Sequence, residues 1–155
     1  MLKRKDPPYS GTEVPAARTE SQIKQMLMDS GAEAVRITST NMGEVTIEFI
    51  LETEIQGVQK KFAVRLKSPE IYRTRGRKYQ KIAMRDVNAE LRLLHWYTKS
   101  LLEAAQYGLM AVEEIFFSHI LFTLPNGQTA TASEMASRAL VEGKQAALPG
   151  LGVHE

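Results

Sequence analysis

The chain contains no cysteine among its 155 residues. It therefore has no disulfide framework, no thiolate nucleophile and no cysteine-ligated zinc or iron–sulfur site. No window reaches the roughly 18 apolar residues needed to cross a bilayer, so we expect no membrane partner. The basic N-terminus also lacks the apolar stretch of a signal peptide. Together these absences predict a cytoplasmic protein.

The composition is that of a globular domain, with 43% hydrophobic and 25% charged residues. It excludes a mostly disordered chain, a collagen and a coiled-coil rod. Proline and glycine interrupt both ends, which predicts a flexible basic arm over residues 1–18 and a flexible tail over residues 144–155. We place a single domain at residues 19–143.

The first predicted element is a helix of about three turns. Thr19 and Gln22 have the spacing of a capping box, with Thr19 as the N-cap residue. Ile23 and Leu27 follow at helical spacing, and Gly31 is typical of a helix end. The helix would bury one apolar face.

Three segments then alternate between apolar and polar residues, as strands do: 35–37, 45–51 and 62–66. Short links that contain glycine join them, which is typical of hairpins. We predict a three-stranded antiparallel meander with one face on the core. Outward residues of the third strand would be basic and those of the second acidic, so opposite charges would face each other across the strands.

A long helix is predicted over residues 82–107, followed by a short helix over residues 112–122. A turn at residues 124–127 separates these from a last helix, which begins at a second capping box, Thr131 and Glu134, and ends at Gly143. The order predicts an α+β fold: an N-terminal helix, the meander, then a long helix and two shorter C-terminal helices.

Charge is segregated along the chain. Residues 60–85 hold ten basic side chains against Glu70 alone, a net charge of +9, whereas residues 103–155 carry −4. Such a basic run repels itself unless an anion or an acidic surface lies nearby. The acidic ends of the chain are one source of compensation, and a nucleic acid is another.

A predicted loop over residues 68–80 carries four of these cations between two tyrosines. Arginine and lysine neutralise phosphates, tyrosine rings stack on unpaired bases, and Gly76 permits close backbone approach. The alternative is a solvated loop whose tyrosines pack on the domain. The candidate residues for DNA or RNA binding are Lys61, Arg65, Lys67, Tyr72, Arg73, Arg75, Arg77, Lys78, Tyr79 and Lys81.

The long predicted helix has a second apolar stripe, formed by Ala89, Leu93, Trp96 and Ser100. A helix with two apolar sides is buried between layers or contacts another subunit. One reading is a homodimer interface, since aromatic anchors are enriched there. The other is that the C-terminal helices, with Phe116 and Phe117, cover the stripe within one subunit.

No catalytic motif is recognisable. His95, His119 and His154 lack the spacing of metal ligands, and no P-loop, dinucleotide fingerprint or nucleophile elbow is present. Glu113 and Glu114 open a helix, where carboxylates are favoured without any catalytic role. We therefore expect no metal and no cofactor, and favour a non-enzymatic protein.

Short pieces of the chain, scattered over residues 19–131, carry a resemblance. They are Ile23 and Leu27 before Gly31-Ala32, Gly43 before the strand through Phe49, residues 99–103 with Gly108, residues 114–117 and residues 124–129. The chain resembles a loose group of small, uncharacterised proteins from phages and other mobile elements. The resemblance implies a mobile-element context and carries over no activity.

Two hypotheses follow. The first is a non-catalytic nucleic-acid-binding or nucleic-acid-associated accessory protein of a phage or mobile element, acting through the basic loop. The second is a homodimeric protein-interaction module that uses the Trp96 helix face, with the basic loop bound to an acidic partner.

Overall fold

The computed structural model describes residues 9–76 and 80–143. Its elements confirm the α+β prediction. They are α1 (Ala16–Asp29), β1 (Ala34–Ser39), β2 (Val45–Ile55), β3 (Val58–Lys67), β4 (Tyr72–Arg75), β5 (Ile82–Arg85), α2 (Val87–Gln106), α3 (Val112–Ile115), a 3-10 turn (Phe117–His119), β6 (Leu121–Thr123), β7 (Thr129–Thr131) and α4 (Ala132–Val141).

The predicted meander is present, with β1, β2 and β3 paired antiparallel in that order. Gln56 and Gly57 alone join β2 to β3, and both have positive φ angles, 53° and 78°. Such a two-residue turn matches the twist of the strands and fixes their register. Glu48 consequently lies opposite Arg36 on one side and Arg65 on the other.

The core lies between one face of this sheet and the helices α1 and α2. Residues of β2 alternate between buried and partly exposed from Val45 to Leu51, as expected for a strand with one face inward. Phe49 meets Phe116 edge to face, with ring centroids 5.6 Å apart. Ile23 and Leu91 bring the two helices into the same cluster.

Helix α1 begins earlier than predicted. Its N-cap position is Pro15, and Thr19, the predicted N-cap residue, is fully buried within the helix. The first helical amide, Ala16 N–H, donates to Asn88 Oδ1 of α2 at 2.9 Å, so a tertiary contact replaces the local cap. Residues 1–8 of the predicted arm lie outside the described residues.

The predicted helix over residues 82–107 is wrong in its first part. Residues 82–85 form strand β5, which pairs with β4 inside the predicted loop. Helix α2 starts only after Asp86, whose Oδ1 accepts a hydrogen bond from Ala89 N–H at 3.2 Å. This cap ends the strand and begins the helix.

The predicted helix over residues 112–122 is also wrong. It divides into the four-residue α3, the 3-10 turn and β6, because Phe116 enters the core and Ala132 N–H donates to Ile120 carbonyl at 3.0 Å. The turn before β7 is confirmed, as is the capping box of Thr131 and Glu134 that opens α4. The tail over residues 144–155 lies outside the described residues.

Candidate nucleic-acid interface

Strands β4 and β5 form a two-stranded hairpin, which we call the basic ribbon. Its register pairs Arg73 with Met84 and Arg75 with Ile82. Tyr72, Ile82 and Met84 are 51%, 66% and 44% exposed. Arg73 and its cross-strand partner Met84 share one face of the ribbon, and Tyr72, the residue before Arg73, lies on the other face. Both faces therefore meet solvent, and the ribbon projects from the domain.

The base of the ribbon is fixed to α2 by a buried carboxylate. Glu90 is fully buried, and its Oε1 accepts hydrogen bonds from Ile71 N–H and Arg85 Nε, each at 2.8 Å. Arg85 also donates from Nη1 to the Met42 carbonyl at 3.2 Å. The hydrogen bond to Glu90 raises the pKa of Arg85 above its ordinary value. Arg85 therefore attaches the ribbon to the domain, and its guanidinium group is not available to an external ligand.

Arg73 and Lys81 face outward. The Nε of Arg73 lies 3.9 Å from Asp86 Oδ2, at the limit of an ion pair, and its side chain is about half exposed. Asp86 already accepts backbone hydrogen bonds from Ala89 and Gly11. Lys81 is exposed, and within residues 9–76 and 80–143 no ion pair is found for it. Arg73 and Lys81 are therefore available to an anionic ligand.

The chain turns back at Gly76. This residue has a φ of 139°, and a Cβ there would lie 1.8 Å from the carbonyl oxygen of Gln80. Only glycine tolerates such a close approach. The predicted site residues Arg77, Lys78 and Tyr79 lie outside the described residues.

The predicted site residues on β3 have acidic partners instead. Lys61 Nζ lies 2.7 Å from Glu33, and Lys67 Nζ lies 3.8 Å from Glu134. Contact with Glu33 raises the pKa of Lys61 above its ordinary value. Acidic side chains of the same chain therefore neutralise this part of the basic run, and no nucleic acid is needed for it.

Arg65 belongs to a triad across the outer face of the sheet. Glu48 accepts from Arg65 Nε at 3.0 Å and also from Arg36 on the neighbouring strand. Burial tends to raise the pKa of Glu48, but the two guanidinium groups outweigh it and hold that pKa below its ordinary value. Arg65 further donates to Thr129 Oγ1 at 3.3 Å, which ties β7 to the sheet. Its role is structural in the described part of the chain.

The four residues of the predicted interface stripe differ in their exposure to solvent. Ala89 is fully buried and cannot meet a partner, Leu93 is half-buried, and Trp96 and Ser100 are exposed. The expectation that Phe116 and Phe117 cover the stripe is wrong. Phe116 is in the core against Phe49, and Phe117 is itself exposed to solvent.

Two of the three histidines occupy defined environments. His119 Nε2 lies 2.7 Å from Tyr97 Oη, and burial lowers the pKa of His119 and raises that of Tyr97. Burial also lowers the pKa of His95, with Arg92 and Lys99 acting in the same direction. His154 lies outside the described residues. In the described part of the chain, no cluster of acidic residues and histidines could hold a metal ion.

A feature that sequence reasoning missed is an apolar groove of about 570 Å³. Its walls come from the far end of the β2–β3 hairpin and from the segment after α2. It was not foreseen because that segment was predicted to be one continuous helix. The principal apolar side chains are Ile55, Phe62, Met110, Phe117 and Phe122.

Comparison of the chain with protein-family models, curated proteins and solved structures found no match. Among the described residues, no helix combines the length and apolar character that a membrane crossing requires. The candidate interface therefore has to be judged on its own geometry.

Proposed function

We propose that this protein is a non-catalytic nucleic-acid-binding accessory protein of a phage or mobile element, and that the basic ribbon is its contact surface. The observation that carries this proposal is a two-stranded hairpin exposed on both faces whose cations, Arg73 and Lys81, point to solvent. Arg77 and Lys78, in the sequence that joins its strands, add to the charge.

The shape and charge of the ribbon suit a nucleic acid. A two-stranded β-ribbon fits the major groove of duplex DNA, and the same cations can follow the backbone of a single strand. Tyr72, exposed on the ribbon, offers a ring for stacking. The rigid attachment through Glu90 limits the conformational entropy lost on binding.

The test is fluorescence anisotropy with labelled single-stranded DNA, duplex DNA and RNA, each at about 50 and 200 mM salt. Binding that weakens steeply with salt is expected for at least one of the three. Charge reversal by Arg73→Glu with Lys81→Glu should abolish it. The milder Arg73→Gln with Lys81→Gln sets no carboxylate beside Asp86 and should weaken binding with little change in melting temperature, because both side chains are largely exposed.

Lys24→Glu with Lys60→Glu is the matched control. Both side chains are exposed, one on α1 and the other near the far end of the β2–β3 hairpin, and the pair makes the same change in net charge. If the control loses as much affinity as the ribbon variant, binding reflects overall charge and the ribbon is not the site. Absence of binding to all three ligands at low salt contradicts the proposed function.

A further inference from the structure

We infer that Trp96, with Arg92 and Lys99, forms a stacking platform for an unpaired base, so that the preferred ligand is a single-stranded nucleic acid. This inference rests on the proposed function and names its ligand class. It concerns a helix face separate from the basic ribbon, and single-stranded DNA and RNA share the chemistry it requires.

The platform is an aromatic ring with two cations over it. The Trp96 side chain is 42% exposed. Arg92 Cζ lies 5.8 Å and Lys99 Nζ 5.1 Å from its ring centroid. The three residues are spaced by four and three positions on α2 and so share one face of the helix. An indole surface offers a sequence-tolerant partner for a base, and nearby cations suit the flanking phosphates.

The two cations differ in how firmly neighbouring side chains hold them. Arg92 Nη1 donates to Gln22 Oε1 of α1 at 2.8 Å, and Lys99 Nζ lies 3.6 Å from Glu103. Arg92, Lys99 and Glu103 together leave a charge of +1 on this face. Lys99 is held by an exposed ion pair, which is weak, so it can leave the ring when a base stacks there and can then contact a flanking phosphate, while Arg92 stays bound to Gln22.

The same surroundings argue against a dimer anchor. The cores of protein interfaces are depleted of charged residues, whereas Trp96 is bordered by Arg92, Lys99 and Glu103. Ala89, which would extend an apolar seam along the helix, is fully buried. A single exposed aromatic side chain among charges fits one stacked base better than a second subunit.

Trp96 is also within reach of a strand bound to the basic ribbon. It follows Asp86, at the base of the ribbon, by ten positions along α2. At 1.5 Å per residue this corresponds to about 15 Å. A binding site of several nucleotides, as is usual for single-strand binders, can span that distance.

Trp96 is the only tryptophan of the chain, so its fluorescence reports directly on the platform. The full chain is titrated with oligothymidylate of about 16 nucleotides and with a duplex of equal length. Quenching of Trp96 fluorescence by the unlabelled strands is compared with the anisotropy of the same strands carrying a label. Stacking predicts that quenching by the single strand follows the same binding curve as anisotropy, whereas the duplex gives little quenching.

Substitution separates the platform from the ribbon. Trp96→Ala should weaken single-strand binding by roughly 5- to 150-fold, the range for the loss of one stacked base, and leave duplex binding unchanged. The matched control is Tyr107→Ala, since Tyr107 is 87% exposed at the end of the same helix. The control should keep wild-type affinity.

The possible outcomes are distinct. If anisotropy reports binding but Trp96 is not quenched and Trp96→Ala binds normally, the platform is refuted and the proposed function stands. If neither these two strand forms nor RNA binds, the proposed function fails and the platform fails with it. If Trp96→Ala converts a dimer to a monomer by light scattering, Trp96 is an interface residue and the inference is overturned.

Discussion

Replacing Glu90 with leucine should destabilise the protein by about 3–5 kcal/mol, because one partner of a buried ion pair is removed and the other remains. Arg85 is 14% exposed in its side chain and would keep its charge without Glu90. The Ile71 amide, which donates to Glu90 at 2.8 Å, would also lose its acceptor. That amide alone accounts for about 1–3 kcal/mol.

A double variant checks this assignment. Arg85→Leu combined with Glu90→Leu removes the stranded charge. The Ile71 amide then lacks a partner, while the exposed Met42 carbonyl can turn to water, so the loss should fall to about 1–3 kcal/mol. Glu90→Gln, which keeps an oxygen for Ile71, should cost less than Glu90→Leu.

Urea unfolding followed by circular dichroism gives the free energies of unfolding. Hydrogen exchange should show faster exchange at β4–β5 amides in Glu90→Leu than in the wild type, while β1–β2 amides change less. The reasoning is refuted if the free energy of unfolding of Glu90→Leu lies within about 1 kcal/mol of the wild-type value, since an exposed ion pair would contribute that little.

Three further outcomes are expected. Gly76→Ala should disorder the ribbon turn, because the new Cβ would meet the Gln80 carbonyl. NMR chemical shifts should then change only in β4 and β5, and an unchanged spectrum would contradict this prediction. Thr131→Ala should cost about 0.5–2 kcal/mol in urea unfolding, since the capping oxygen of α4 is lost, whereas Thr131→Ser should cost less. The lowered pKa of His119 means that protonation favours the unfolded chain, so stability is full above the ordinary histidine pKa of about 6.5 and falls below it. His119→Gln should make that fall shallower, and an unchanged pH profile would show that His119 is not responsible.

The meander and the last helix could be predicted from sequence because their signals are local. Alternation along β2 and the capping box of Thr131 and Glu134 each depend on residues near in the chain. The opposed charges of Glu48 and Arg65 followed from the same alternation once the strands were taken as neighbours.

The ribbon and α1 could not be predicted because long-range partners decide them. Residues 82–85 have a helix-compatible pattern, yet they pair with β4, and Glu90 fixes the strand end through Arg85. Helix α1 starts at Ala16 because Asn88, distant in sequence, accepts its first amide. Periodicity carries no information about such partners.

The candidate site was foreseen in part. Sequence reasoning pointed to the basic run, but it could not separate Lys61 and Lys67, which find acidic partners on other elements, from Arg73 and Lys81, which remain exposed. Only the placement of Glu33 and Glu134 beside the sheet makes that distinction.

The most direct test of the central claim is the salt dependence of binding for Arg73→Gln with Lys81→Gln, compared with the wild type and with a Lys24→Gln control. Each phosphate contact contributes about 0.7 to the slope of log K against log salt for a single strand, and about 0.9 for duplex DNA. Loss of two contacts should therefore reduce the slope by about 1.4 or 1.8. The control should keep the wild-type slope. A ribbon variant with an unchanged slope would show that the basic ribbon does not contact phosphate.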